Sequence, residues 1–176
     1  MLHKATYVDY NTLNDLEQIF LKVRKRIMSD IYKFMEKAIE YAKTSAHSNS
    51  EDVPVGCIIV KDNEILSYGF NTREHNCHIT GHAEIQAIET AEKVLGDHRL
   101  HGCKMFVTLE PCPMCAGAIR AAQIEELYFG AYNLSDGSAG TVYNLLYPQV
   151  KVFGGIKKSD CESLLKDFFS QIRKNK

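Results

Sequence analysis

Long apolar segments are missing from this sequence, and so is an excess of charge of either sign. The 176 residues include 21 basic and 22 acidic side chains, for a net charge of -1. This balance disfavours a globally basic nucleic-acid binder but leaves room for a local basic patch. No apolar run is long enough to cross a bilayer. The first residues lack the basic head and apolar stretch of a secretory signal. We therefore expect a cytoplasmic protein with no membrane partner.

Glycine and proline are scarce as well, at 11 and 4 residues. They are scattered, so no Gly/Ser-rich or Pro-rich linker divides the chain, and no internal repeat is visible. Hydrophobic residues make up 45% of the chain and charged residues 24%, values typical of globular domains. The sequence therefore predicts one domain, preceded by an N-terminal extension.

The spacing of apolar residues predicts alternating helices and strands. Helices are expected over residues 12–27 and from about Asp30, and the Asp62-Asn63 pair lies between two extended segments that predict a β-hairpin. The remaining predicted helices begin near His82 or cover residues 112–122, 142–146 and 159–173, and the remaining predicted strands cover residues 104–109, 127–130 and 150–153. This alternation favours an α/β layered domain with a partly parallel sheet.

Six cysteines in a chain without a secretory signal are more typical of thiols or metal ligands than of disulfides. Cys57 lies in an apolar strand-like run, and Cys103 and Cys161 stand alone. For these three we expect small, buried side chains.

Cys112 and Cys115 form a C-x-x-C pair and require a different explanation. Pro113 is tolerated only in the first turn of a helix, so a helix is expected to start at about Cys112. Both sulfurs then lie on one face of the first turn, where the helix dipole and the free N–H groups favour thiolates. Such a pair is typical of a redox site or of half of a soft-metal site.

The segment His82-Ala83-Glu84 opens another predicted helix, thirty residues earlier. Two consecutive helices on the same side of a sheet, joined by a strand, start at the same edge, so His82 can meet the two cysteines. One imidazole and two thiolates leave a fourth tetrahedral position open, which is typical of a catalytic zinc. We predict one Zn²⁺ per chain, held by His82, Cys112 and Cys115. Glu84 is predicted to act as the catalytic proton carrier rather than as a ligand.

Two other interpretations compete with the open zinc site. A thioredoxin-like redox pair would account for the two cysteines but would leave His82 and Glu84 unexplained. A closed structural zinc would need a fourth ligand, for which the loop residues His75, Cys77 and His78 are candidates without fixed spacing. Because both motifs lie at predicted helix starts, their combination favours the open site.

Together, His82-Ala83-Glu84 and the Pro111–Cys115 segment form the signature of zinc-dependent deaminases. Within the cytidine/deoxycytidylate deaminase superfamily, the chain resembles the tRNA adenosine deaminases of the TadA type over residues 28–173. Supporting segments are Val53-Pro54-Val55-Gly56, Gly69-Phe70-Asn71, Val107-Thr108-Leu109-Glu110, Cys115-Ala116-Gly117-Ala118, Phe129-Gly130-Ala131 and Asp167-Phe168-Phe169. The resemblance implies a three-layer fold with a mixed five-stranded sheet flanked by helices. It also implies a deaminase domain over residues 28–176, after an extension over residues 1–27 that we predict to be helical.

The resemblance also implies an activity, namely hydrolytic deamination of adenosine to inosine at the first anticodon position of tRNA. The expected partners are a tRNA anticodon stem-loop and a second copy of the chain, in a homodimer. Asn71, Ala83 and Asn133 are the expected substrate-binding residues, Asn71 through its amide and Ala83 through its backbone N–H. The alternatives are a free nucleobase or nucleoside deaminase of the guanine or cytosine type, and a non-catalytic zinc-stabilised RNA-binding module. The presence of Glu84 argues against the module.

The chain departs from the family pattern near the expected substrate contacts. His78-Ile79 replaces the usual Asp-Pro, Tyr132-Asn133 replaces Arg-Asp, and the stretch near Pro148 is shorter. An uncharged Asn133 both donates and accepts hydrogen bonds, whereas Asp only accepts. We therefore expect a weaker requirement for a ribose 2′-hydroxyl, unless Asn133 serves only to shape the turn.

Overall fold

The computed structural model describes residues 10–47 and 51–174 of the chain, with side chains described over residues 17–45 and 51–174. Its elements are α1 (Tyr10–His47), β1 (Gly56–Lys61), β2 (Glu64–Phe70), α2 (Ala83–Leu95), β3 (Lys104–Leu109), α3 (Pro113–Ala121), β4 (Glu126–Ala131), β5 (Lys151–Phe153) and α4 (Lys158–Lys174). The predicted α/β alternation is therefore confirmed.

The five strands form one mixed sheet in the order β2-β1-β3-β4-β5. Strand β1 pairs antiparallel with both β2 and β3, whereas β3 pairs parallel with β4 and β4 with β5. The β1–β2 turn has positive φ angles at Asp62 (49°) and Asn63 (66°), as the tight hairpin turn requires. The predicted hairpin and mixed five-stranded sheet are both confirmed.

Helices cover both faces of the sheet, which gives the predicted three layers. Because successive side chains of a strand point to opposite faces, Cys57 and Ile59 of β1 join the core that α2 and α3 complete. Ile58 and Val60 point the other way and pack with residues of α1 and α4. The single cysteines Cys57, Cys103 and Cys161 are all buried, as predicted.

Helix α1 is longer than expected, because the predicted break between residues 27 and 30 does not exist. No glycine or proline interrupts the helix, so Asp30, where a second helix was expected to begin, lies in its interior. Met35, Ala38 and Ala42 bury this helix against the sheet, whereas residues 17–29 are exposed. The helix expected over residues 12–27 is part of α1, whereas residues 1–9 of the extension lie outside the described residues. The proposed domain boundary at residue 28 coincides with no helix end and stays a prediction.

The prediction of a short helix over residues 142–146 is also wrong. The carbonyl of Gly137 accepts hydrogen bonds from the N–H groups of Val142 and Tyr143, and Ala139 and Asn144 form an isolated bridge. Gly140 has φ 133°, which a helix does not allow. Among the described residues, no helix is both long and apolar enough to cross a membrane.

Candidate active site

Helices α2 and α3 begin at the same edge of the sheet. Strands β2 and β3 are both antiparallel to β1, so their carboxyl ends lie together and each leads to one of these helices. Gly69 near the end of β2 leaves room for the first turn of α2, because a Cβ at this position would collide with the Ala83 carbonyl. The topology therefore brings the two predicted motifs to one place.

The three predicted zinc ligands converge at this edge. His82 and Cys112 are the residues immediately before α2 and α3, and Cys115 lies in the first turn of α3. The Nδ1 atom of His82 is 3.6 Å from Cys112 Sγ and 3.4 Å from Cys115 Sγ. A tetrahedral zinc with ordinary Zn–N and Zn–S bonds holds its nitrogen and sulfur ligands about 3.5 Å apart. The spacing of these three residues therefore fits a zinc ion, and they are positioned to coordinate one.

The two sulfurs differ in their affinity for a proton. The hydrogen bond from Cys115 and the neighbouring His82 lower the pKa of Cys112 to about 4. The same sulfur–sulfur hydrogen bond and burial raise the pKa of Cys115. The hydrogen bond to Cys112 raises the pKa of His82. A thiolate is thus already favoured at one ligand, as soft-metal binding requires.

Glu84 lies in the first turn of α2, two residues after His82, and is only 4% exposed. Burial raises the pKa of its carboxyl group to about 7. The structure does not place Glu84 in the group of three ligands, and its side chain lines the cavity beside them. A carboxyl group with a pKa near neutrality suits both uptake and release of a proton.

A cavity of about 1020 Å³ opens over these residues. His82, Ala83, Glu84 and Cys112 form part of its wall, together with residues of the two flanking loops and of the C-terminal half of α4. The volume is near the upper end of the range typical of small-molecule sites. The metal site is therefore accessible to a substrate of substantial size.

Residues 28–131 match the family described as the cytidine and deoxycytidylate deaminase zinc-binding region. The chain belongs to this family. It is 38% identical over 148 residues to the tRNA-specific adenosine deaminase of Bacillus subtilis, covering 81% of this chain and 91% of that protein.

Solved structures give the same assignment. A deaminase from a study of A-to-I editing by tRNA:A34 deaminases is 33% identical, with a TM-score of 0.69, covering 76% of this chain and 99% of that one. The guanine deaminase of Bacillus subtilis is 35% identical with a TM-score of 0.56, over 62% of this chain and 69% of that one. The fold of this deaminase family is thus the fold predicted for the chain.

The three predicted substrate-binding residues all line the deaminase cavity. The Asn71 amide donates to the Val53 carbonyl at 3.0 Å, and its oxygen accepts the Arg73 N–H at 3.4 Å. Ala83 is fully buried at the first position of α2, where backbone N–H groups have no partner within the helix. The structure therefore places Asn71 and Ala83 beside the metal site.

Asn133 lines the cavity, but its side chain is engaged in its own loop. Its amide donates to Asp136 Oδ1 at 2.6 Å, and its oxygen accepts the N–H groups of Ser135 and Asp136. This pattern corresponds to the turn-forming interpretation that the sequence left open. A role in substrate binding stays a prediction.

The candidates for a fourth zinc ligand do not join the site. Among the described residues, the grouped ligand atoms belong to His82, Cys112 and Cys115 alone. Cys77 is exposed and donates to the carbonyl of Glu74. The three-ligand, open arrangement is the one that the structure supports.

Sequence reasoning missed two buried carboxylates that hold the walls of the cavity. Asp52, 1% exposed, accepts the backbone N–H groups of Glu74 and His75 at 2.6 and 3.1 Å. Glu110, also 1% exposed, accepts three N–H groups of the loop after β4. The available signal was a charged residue next to an apolar segment, since Asp52 precedes Val53-Pro54-Val55 and Glu110 directly follows β3.

Proposed function

We propose that this protein is a zinc-dependent tRNA adenosine deaminase, which converts adenosine to inosine at the first anticodon position. The observation that carries the deaminase chemistry is the convergence of His82, Cys112, Cys115 and Glu84 on the wall of one cavity. The substrate is inferred from the relatives, since the similarity to tRNA-specific adenosine deaminase extends over most of both chains. A tRNA substrate also supports the prediction of a cytoplasmic location.

Each residue of the site has its own role in the proposed reaction. A zinc ion held by His82, Cys112 and Cys115 would lower the pKa of a water molecule, so that a nucleophile is available at neutral pH. The Glu84 carboxylate takes the proton of the water that attacks carbon 6 of the adenine. It then delivers protons to the ring nitrogen and to the departing ammonia, so that water and adenosine become inosine and ammonia.

Asn71 and Ala83 are proposed to orient the flipped adenine. One amide hydrogen of Asn71 is held by the Val53 carbonyl, which leaves the second hydrogen for the purine. The hydroxyl of Ser45 donates to the Asn71 carbonyl at 2.7 Å and fixes the backbone there. The Ala83 N–H lies in the first turn of α2, where it has no partner within the helix, and in this proposal it donates to a substrate oxygen or nitrogen. For Asn133 we propose a contact with the nucleotide backbone.

A free-base deaminase of the guanine type is the second candidate. The specific observation for it is the 35% identity to the guanine deaminase of Bacillus subtilis, which covers less of both chains than the tRNA deaminases do. A non-catalytic RNA-binding module gains no support, because Glu84 is buried beside the metal ligands, where a structural site has no use for it.

The test is inosine mapping after incubation with a tRNA pool. We expect inosine at the first anticodon position of one or a few tRNAs, and turnover of the matching anticodon stem-loop. Free guanine and free cytosine are tested as parallel substrates, and the Glu84→Gln variant serves as the negative control. Release of ammonia from guanine with no inosine in tRNA would establish the second candidate instead.

We also propose that the enzyme is a homodimer whose interface lies beside the cavity. The loop after β4 carries large apolar side chains that are exposed, with Leu134 at 83% and Tyr147 at 75%. Gly117, which has no side chain, and Ala121, which has only a methyl group, lie on the exposed face of α3, which permits close packing of a second copy. Since Asn133 and Asp136 of the same loop line the cavity, a partner here would contribute to its rim.

A further inference from the structure

The loop that follows β4 is attached to the end of β3 through a single buried side chain. Glu110 Oε2 accepts the Asn133 N–H at 3.2 Å, and Oε1 accepts the N–H groups of Ala139 and Thr141 at 3.0 and 3.1 Å. These three donors lie 23 to 31 residues after Glu110 along the chain. One carboxylate therefore holds both ends of residues 133–141.

Two further contacts bind this loop to the same place. The N–H of Ser138 donates to the Pro111 carbonyl at 2.8 Å. Gly137 packs so closely that a Cβ there would collide with the Glu110 carboxylate and with the Asn133 carbonyl. The loop is thus fastened to Glu110 and Pro111, the two residues that precede the zinc ligand Cys112.

A carboxylate is a costly group to bury, and simple packing of a loop does not need one. It offers only acceptors, so it fits three converging N–H donors, and charge-assisted bonds of this kind hold geometry more strongly than neutral ones. Glu110 also lines the cavity itself. Its placement links the position of the cavity wall directly to the position of the metal site.

We propose that Glu110 is a positioning residue for the nucleic-acid substrate. It sets the distance of the Asn133 segment from the Cys112 end of the site, and so determines how tightly the substrate is held, with little effect on the chemical step. This inference rests on the proposed tRNA deaminase function, which supplies the substrate of the test.

The first variant is Glu110→Gln, which keeps the size of the side chain. If its oxygen faces Ala139 and Thr141, its NH₂ group faces the Asn133 N–H, and two donors then oppose each other. We expect the KM for the anticodon stem-loop to rise at least tenfold, while kcat stays within threefold and zinc stays at about one per chain. The matched control is Glu125→Gln, because Glu125 also accepts a backbone N–H, that of Gly102 at 2.9 Å, at the opposite edge of the sheet. This control should leave KM within twofold.

The second variant, Gly137→Ala, leaves Glu110 in place and displaces the loop from it. We expect the same rise in KM with zinc retained. The proposal is overturned if KM stays unchanged in both variants, or if zinc and kcat fall together while KM does not move.

Amide hydrogen exchange at Asn133, Ala139 and Thr141 gives a readout without substrate: Glu110→Gln should accelerate it at least tenfold and Glu125→Gln should not. An absence of inosine with the wild-type enzyme would refute the proposed function alone, and the exchange rates would then decide the role of Glu110.

Discussion

At the scale of single residues, the proposed proton transfer depends on the buried carboxyl group of Glu84. Replacement by Gln keeps its size and removes its capacity to carry a proton. We expect Glu84→Gln to retain about one zinc per chain and to lose activity by a factor of ~10² to 10⁴, the range of general acid–base catalysis. Metal analysis and single-turnover inosine formation measure the two quantities.

The control for Glu84 is Cys112→Ser, which removes a zinc ligand. It should lose metal and activity together, and the midpoint of its thermal unfolding should fall. Activity of Glu84→Gln within tenfold of the wild type would show that another group carries the proton.

The hydrogen bond between Asn133 and Asp136 gives the second prediction at this scale. Asn133→Asp would place two carboxylates where the amide now donates at 2.6 Å, so this variant should lose about 1 kcal/mol of unfolding free energy. The exchanged pair Asn133→Asp with Asp136→Asn restores one donor and one acceptor and should recover most of the loss. Urea unfolding of the three proteins measures it.

The same variants test the expected ribose preference. With a carboxylate at residue 133, the exchanged pair should favour ribo-adenosine over deoxyadenosine in a stem-loop more strongly than the wild type does. An equal preference would leave Asn133 with its turn role alone.

The zinc ligands and Glu84 could be predicted from the sequence because each lies next to a recognisable helix start. Pro113 marks the start of α3, and the segment His82-Ala83-Glu84 lies at the start of α2. Glu110 could not be predicted in this way, since its partners Ala139 and Thr141 are brought to it only by the pairing of β3 with β4. The roles of side chains that bind distant backbone groups depend on tertiary structure.

At the scale of elements, strands and helices with clear periodicity were predictable, and the errors occur where local signals are weak. Asp30 suits a helix cap, but α1 continues through it because no residue between Tyr10 and His47 breaks a helix. The apolar residues 142–146 suggested a helix, whereas Gly137 and Gly140 direct this segment into turns. A cap or an apolar run therefore predicts an element only where the flanking backbone permits it.

The exposed part of α1 gives a prediction about the extension. Residues 17–29 are exposed, and the buried face of the helix begins only beyond them. A chain that starts at Met28 should fold, melt within a few degrees of the full protein and deaminate within twofold of its rate. In this shorter chain Asp30 lies near the helix N-terminus, where its charge is favourable.

Circular dichroism melting and inosine formation test the shortened chain, with the full chain as reference. Insolubility or a large loss of rate would show that the extension belongs to the folded core or to the dimer.

At the scale of the whole molecule, Gly117 allows the proposed dimer to be tested without damage to the monomer. A Cβ at this position meets no atom within 4 Å, so Gly117→Leu should leave the fold of one chain intact. A second copy packed against α3 would be displaced. Light scattering should therefore give about twice the 19.9 kDa chain mass for the wild type and one chain mass for the variant.

Lys93→Leu is the matched control for Gly117→Leu, since Lys93 is exposed on α2. It should not change the mass. A wild-type protein that scatters as a single chain at micromolar concentration would contradict the dimer.

The exposed stretch of α1 has a consequence for handling the protein. A helical segment of this length whose side chains are exposed is marginally stable in water and opens locally. Lys22, Arg24, Lys25 and Arg26 all lie in it, and trypsin cleaves after such residues once a segment opens. Limited digestion should therefore trim the chain to a resistant fragment that begins at Ile27, one residue before the predicted domain start.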